Sequence, residues 1–276
     1  MIDITQLGLG ILIAGVIAGL AFRFTLLSKS GALAAFLLGS VVFGLGGLAW
    51  SIVLMVFFLS SSGLSYSFRS RKADAEEKYA RGSIRDYHQV LANGGLAGLF
   101  VILSLIIPQS PYAWLGFCAS LAAANADTWA TELGSLSKRK PVLISTLKPV
   151  ERGTSGAVSL AGLAASFLGA FVIALAGIFL TPAGLKIEPW LFLVAITLGG
   201  FAGSLADSWI GATLQAIYFC PQCSRDTEKH PRHGCGAQTT LLRGRSWMNN
   251  DVVNLLCTIK GAGAAIVLTV LLQLIA

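Results

Sequence analysis

Residues 90–126 read VLANGGLAGLFVILSLIIPQSPYAWLGFCASLAAANA, a stretch without a single Asp, Glu, Lys or Arg. A helix rising ~1.5 Å per residue crosses the hydrocarbon in about 20 residues, so this run is too long for one crossing. Pro108-Gln109-Ser110-Pro111 interrupts it near the middle, and the reading that follows is a hairpin of two membrane helices. Working outward, the uncharged run 31–68 is divided by Gly44-Leu45-Gly46-Gly47, the run 153–185 closes on Thr181-Pro182-Ala183-Gly184, and 189–205 is uncharged again. Eight crossings result, near 4–22, 31–46, 48–66, 91–107, 111–134, 154–180, 189–219 and 252–276. The second and third are short for a bilayer, which leaves a re-entrant segment or a six- to seven-helix variant open. The fold class expected is an all-α integral membrane protein, a polytopic helical bundle forming a single transmembrane domain over 1–276.

Composition agrees. Only 12% of the 276 residues are charged while 55% are hydrophobic, and the mean hydropathy is +0.74. A soluble domain carries roughly twice that charged fraction. The net charge of +7 follows from the placement of the basic residues in loops, where they meet anionic lipid headgroups, so it is not read as nucleic-acid binding.

Those basic residues fall in alternate loops. Arg23 and Lys29 lie in the first, and Arg69, Arg71, Lys72, Lys78, Arg81 and Arg85 in the second. The third holds Lys138, Arg139, Lys140, Lys148 and Arg152, and the fourth Arg225, Lys229, Arg232, Arg243 and Arg245. The opposite loops hold essentially Lys186 alone. By the positive-inside rule the charged loops face the cytoplasm and both termini lie outside, in the cell's inner (plasma) membrane or its equivalent. No basic stretch or small-residue cleavage site precedes the first helix, so no cleavable signal is expected. Three cytoplasmic segments carry the soluble chemistry: an amphipathic loop at 67–90, a basic loop at 135–153 and a Cys/His loop at 219–249.

The intramembrane polar residues gather at this same end. Asn125, Asp127, Thr128, Thr131 and Glu132 lie near the end of the fifth helix, Asp207 and Ser208 at matching depth on the seventh, and Asn249, Asn250, Asp251 and Asn254 at the start of the eighth. An ionised Asp within hydrocarbon costs several kcal/mol unless paired, hydrated or bound to a cation, which makes such residues functional candidates. The plainer reading is that they end helices at the water interface, and Asp251 is well placed as an N-cap or first-turn acid. Spacings of three and four put Asn250, Asp251 and Asn254 on one helix face, Asp127 with Thr131 on another, and Asn125, Thr128 and Glu132 on a third. Carboxylates with amide and hydroxyl oxygens make a hard site suited to Mg²⁺ carrying a nucleotide's phosphates. Ala-Asp-(Thr/Ser)-Trp recurs at 126–129 and 206–209, a short repeat that chance or parallel packing also explains.

The complementary charge follows the fifth helix. Lys148, Arg152, Gly153, Thr154 and Ser155 run into the expected sixth helix, where glycine backbone, hydroxyls and amide hydrogens would cradle a triphosphate at a helix N-terminus. An ordinary positive-inside loop with a Thr/Ser cap accounts well for the basic residues, but less well for Glu151-Arg-Gly-Thr-Ser-Gly156 next to the Asp motif.

Cys118 and Cys257 lie in helices and pack as small residues. Cys220 and Cys223, then His233 and Cys235, form a Cys-x-x-Cys with a later His/Cys pair that suits tetrahedral Zn²⁺, His230 being the alternative ligand. Its expected role is structural, holding Arg243, Arg245 and the Asn-Asn-Asp segment against the membrane. Reduced cysteines without metal are the other reading. In the 67–90 loop, His88 is either a base or a surface residue.

Together, Ala126-Asp-Thr-Trp-Ala-Thr-Glu-Leu-Gly134, Lys148-Pro-Val-Glu-Arg-Gly-Thr-Ser-Gly156, the Cys-x-x-Cys loop and 243–254 resemble the phytyl-phosphate kinase family of the tocopherol pathway, over nearly the whole chain. More distantly, the Asp helix with its basic loop is similar to CTP-dependent phytol and dolichol kinases and CDP-diacylglycerol synthases, although Glu151-Arg-Gly-Thr replaces their simpler Glu-Gly-Thr. The resemblance implies Mg²⁺-dependent transfer of a nucleoside triphosphate's γ-phosphoryl group, CTP favoured, to an isoprenyl monophosphate in the membrane. Asp127 and Asp207 would hold the metal, with Asp251 a third ligand or an orienting group. Lys148, Arg152, Gly153, Thr154 and Ser155 would bind the triphosphate, and Arg243 and Arg245 the acceptor phosphate. A cytidylyltransferase releasing pyrophosphate, or an ion or lipid transporter with a polar track reaching the outer side, are the alternatives.

Overall fold

A computed structural model of the chain describes residues 3–68 and 84–275. Among these, eight helices run in alternating directions: α1 (Ile4–Arg23), α2 (Lys29–Val41), α3 (Leu48–Ser67), α4 (Tyr87–Ile106), α5 (Pro111–Gly134), α6 (Leu160–Phe179), α7 (Pro189–Thr213) and α8 (Asn250–Ile275). Local chemistry sets their starts. Asp3 Oδ1 accepts from the Thr5 amide at 2.8 Å, Ser28 and Ser159 cap α2 and α6, and Asp86 accepts from the Gln89 amide at the head of α4. Pro111 and Pro189 open α5 and α7 in the first turn, where a missing amide hydrogen costs nothing. After α2 a π-helical turn, Val42–Gly46, carries the chain to Gly47, whose φ of 78° makes the corner into α3. Lys29–Gly46 is thereby long and apolar enough to cross.

Seven of these helices are long and apolar enough to span a membrane, all but α5. The exception has a physical reason: α5 is the axis of the bundle, packed by α3, α4, α6, α7 and α8. Its face meets protein on every side from Ala113 to Ala126, so small residues serve it better than lipophilic ones. Apolar side chains of the outer helices, among them Leu12, Leu99, Phe179 and Leu271, point outward and are exposed as a lipid-facing belt requires. At the end away from the charged loops, Trp50, Trp114 and Phe117 pack edge-on and stacked with centroids 4.7–5.6 Å apart, and the Trp114 indole donates to Gly177 O at 3.1 Å.

Three helix ends differ from the sequence expectation. α6 begins at Leu160 instead of 154, because Ala157–Val158 (β2) pairs antiparallel with Val142–Leu143 (β1) before Ser159 caps the helix. α7 stops at Thr213 instead of 219, since Ile217–Cys220 (β3) is the central strand of a sheet with Arg225–Thr227 (β4) and Thr240–Arg243 (β5). α4 starts four residues early, at Tyr87. Most of the amphipathic loop expected at 67–90, residues 69–83, lies outside the described residues. From its far end the Arg85 backbone is held by two hydrogen bonds to the α1–α2 turn, at Leu26 O and the Ser28 amide.

Candidate active site

One turn below Asp127 and Asp207 the helices carrying them touch backbone to backbone. A Cβ on Gly203 of α7 would sit 2.7 Å from Ala123 Cβ of α5 and 2.7 Å from Cys257 O of α8, and one on Gly261 would sit 2.5 Å from the same Ala123 Cβ. This seam of small residues draws α5, α7 and α8 together, so that the acids one turn further along face one another. They enter a chamber of about 660 Å³ at the charged end of the bundle, lined by Asp127, Asp207 and Asp251 together.

Asp127 and Asp207 lie within electrostatic reach of each other. Asp207 Oδ2 is buried and accepts no hydrogen bond. Two facing carboxylates, one with an orphaned buried oxygen, are the donor set a hard divalent cation fits. Asn249 caps α8, its Oδ1 accepting from the Val252 amide at 3.1 Å, so Asp251 is left to the first turn. Asn250, Asp251 and Asn254 all line the chamber, as their shared face requires. Thr131 lines it as well.

The basic loop closes one side. Arg152, Gly153, Thr154 and Ser155 line the chamber, and the Arg152 guanidinium also donates to Ser137 O. Gly153 and Gly156 take φ of 78° and 83°, and a Cβ on Gly156 would meet the Ala212 amide nitrogen at 2.3 Å, so the loop lies directly on the end of α7. Thr154 and Ser155 therefore sit in a turn ahead of α6, not at its N-terminus.

The profile of the integral membrane protein family DUF92 matches residues 12–262. The chain belongs to the DUF92 integral membrane family. It is 32% identical over 229 residues to Protein PGR of Arabidopsis thaliana, covering 76% of this chain and 79% of that protein. A membrane protein of Methanocaldococcus jannaschii is 32% identical over 262 residues, with 95% and 93% covered. Protein VTE6, chloroplastic, of Arabidopsis thaliana is 28% identical over 257 residues, with 91% and 68% covered. No solved structure matches. The resemblance read from the motifs is thus borne out at the level of the family, and with it a multi-pass integral membrane protein.

Several residues of this DUF92 protein sit elsewhere than their sequence roles suggest. Asn125 is fully buried outside the chamber, accepting from Ser60 Oγ at 2.8 Å and donating to Gly169 O at 2.9 Å, and so ties α3, α5 and α6 together. Lys148 lies outside the chamber lining, because the turn before it, with Leu147 at φ 56°, carries it to the surface. Arg243 is spent on backbone: its Nη1 donates to Gly211 O and Ala212 O at 3.2 and 2.6 Å, neutralising the carbonyl end of α7 that stops early at Thr213. Arg245 is exposed and also outside the chamber lining. Neither arginine lines the chamber.

Two charged residues that the sequence reading gave no part in the site line the chamber as well. Glu228, from the Cys/His loop, reaches the chamber and accepts from Ser155 Oγ at 2.7 Å and Gln215 Nε2 at 2.8 Å, within electrostatic reach of Asp207. Arg85 lines the same chamber, donates to Ser61 Oγ at 3.2 Å and faces the charge of Glu132, which itself accepts from Ser65 Oγ at 2.8 Å. Beside Arg85 a second, apolar cavity of about 70 Å³ opens between α1, α2, α3 and α4, and shares Arg85, Gln89 and Asn93 with the polar chamber. Gln89 Oε1 is buried at this junction without a hydrogen-bond donor.

In the Cys/His loop Cys220 Sγ lies 3.6 Å from Cys235 Sγ, and His233 Nδ1 lies 3.4 Å from both Cys223 Sγ and Cys235 Sγ. The Ala237 amide and His233 draw the Cys235 thiol down to about 6, whereas hydrogen bonding to Cys235 pushes Cys223 up to about 12.

Proposed function

We propose that this protein is a membrane-embedded kinase that transfers the γ-phosphoryl group of a nucleoside triphosphate, CTP favoured, to an isoprenyl monophosphate such as phytyl or geranylgeranyl phosphate. The single observation that carries this reading is the union of two facing carboxylates with a basic loop in one chamber that shares Arg85, Gln89 and Asn93 with a neighbouring apolar cavity. A phosphorylated head on a hydrocarbon tail matches that junction, and a nucleotide's phosphates match the opposite wall.

Asp127 and Asp207 would hold Mg²⁺, with Asp251 orienting the phosphates. When bound, the ion would supply charge neutralisation at the transferring group. Arg152, Thr154 and Ser155 meet the triphosphate. Arg85 meets the acceptor phosphate, with Gln89 and Asn93 beside it, while the tail enters the slot between α1 and α4 and continues into lipid. An acceptor phosphate oxygen attacks the γ-phosphorus as the bridge to the β-phosphate breaks, and the nucleoside diphosphate leaves with that electron pair. No general base is needed, because the attacking oxygen is already ionised. The charged end faces the cytoplasm of an inner (plasma) membrane or its equivalent, by its basic loops. The layer of Trp114, Phe117, Leu121, Phe192 and Ile196, all buried, favours a closed chamber over a transport path.

The test uses purified protein in lipid nanodiscs with Mg²⁺, γ-labelled CTP or ATP, and phytyl or geranylgeranyl monophosphate. Label in a lipid diphosphate, with release of nucleoside diphosphate, is expected. Labelled pyrophosphate together with a nucleotidyl lipid would make the protein a cytidylyltransferase, and no lipid product with any of these substrates would remove the kinase reading.

A further inference from the structure

The hairpin between α7 and α8 carries a cluster that phosphoryl transfer does not use. Cys220, Cys223, His233 and Cys235 bring three Sγ atoms and one Nδ1 within 4.8 Å of one another. A tetrahedral Zn²⁺ with bonds of about 2.3 Å to sulfur and about 2.0–2.1 Å to nitrogen sets its sulfurs about 3.8 Å apart and nitrogen and sulfur about 3.5–3.6 Å apart. The sulfur–sulfur separation of 3.6 Å and the nitrogen–sulfur separations of 3.4 Å lie within about 0.2 Å of those values. A disulfide needs its sulfurs about 2.0 Å apart, and all five cysteines are free. His230 is not part of the cluster: its ring stacks on Tyr218 at 4.4 Å.

The hairpin also needs such a staple. Its sheet consists of strands of 4, 3 and 4 residues, and a unit this small has too little apolar surface to hold itself. Yet it presents a fixed surface to the chamber. Between the two ligand pairs, Glu228, Lys229, His230 and Arg232 line the polar cavity, and Glu228 is hydrogen-bonded to Ser155 of the basic loop and Gln215 after α7. Thr239 Oγ1 braces the segment by donating to Lys229 O at 3.1 Å.

We infer that Cys220, Cys223, His233 and Cys235 bind one structural Zn²⁺ ion, and that this ion locks residues 224–232 in the geometry that delivers Glu228 to the chamber wall. Four protein ligands leave no open position, so the ion takes no direct part in chemistry. The inference stands apart from the kinase reading, since it concerns how the wall is held and not what the chamber turns over.

The experiment uses the whole protein purified in detergent. Elemental analysis is expected to find one zinc per chain in the wild type, and its loss in Cys223→Ser and His233→Ala. His233→Cys, which keeps a thiolate there, and His230→Ala retain it. Protein produced with cobalt in place of zinc gives the thiolate-to-metal and d–d bands of a tetrahedral site, a measurement that needs no variant. On chelation, amide exchange across 221–239 speeds up by about tenfold or more while that of α6 stays as it was. Zinc-free wild-type protein without tetrahedral cobalt bands overturns the site, and so does a Cys223→Ser protein that keeps its zinc. Unchanged exchange after verified metal removal overturns the lock.

Discussion

At the scale of single residues, Asp127 and Asp207 lie within electrostatic reach of each other, and Asp207 Oδ2 is buried without a hydrogen-bond donor. Two consequences of opposite sign follow for Asp127→Asn and Asp207→Asn. On the proposed kinase reading, turnover of the lipid phosphate falls by at least about 100-fold, the loss expected when a ligand to the transferring group's counter-charge is removed. In metal-free protein the same variants are more stable than wild type, by about 2–4 °C in Tm for each kcal/mol of repulsion relieved. A scan with and without Mg²⁺ separates the effects, and unchanged turnover in both variants removes the metal assignment. These acids were legible in the sequence because a charge inside an apolar run is costly and so conspicuous. Glu228 and Arg85 were not, since a charge inside a charged loop gives no such contrast. Arg243 misled for a related reason: its role depends on carbonyls freed where α7 ends, and that end lies six residues before the expected one.

At the scale of elements, the site depends on how closely α5, α7 and α8 approach. Gly203→Ala places a methyl against Ala123 and the Cys257 carbonyl, contacts that backbone cannot yield cheaply. The expected cost is about 1–3 kcal/mol, with activity falling further than stability alone explains because Asp207 lies one turn away. Gly63→Ala, which meets nothing within 4 Å, is the matched control and stays near wild type. Thermal unfolding and turnover, measured on the pair, check this; equal behaviour of the two would detach the seam from the site. Helix number and most helix starts were legible, because caps, prolines and uncharged runs are local signals. The β1–β2 pairing and the three-stranded hairpin were not. Their strands have 2 to 4 residues, and what holds them is contact with distant segments instead of their own periodicity.

For the molecule as a whole, all the basic loops outside 69–83 meet at one end of the bundle and the aromatic cluster closes the other. On the proposed kinase reading, orientation in the membrane then decides which compartment would supply the nucleotide. Lys138→Cys on the charged end and Lys186→Cys on the other are expected to react with an impermeant thiol reagent from opposite sides of sealed vesicles, Lys138→Cys from the cytoplasmic face. Reaction of both from the same face would break the eight-crossing topology.

On the proposed kinase reading, the apolar cavity that shares Arg85 with the polar chamber would set the kinetics. A substrate whose tail stays between helices and bilayer arrives by lateral diffusion, so turnover tracks its mole fraction among the surrounding lipids and not its bulk concentration. Diluting it with inert phospholipid at constant total amount should slow the reaction, whereas adding buffer to the same vesicles should not.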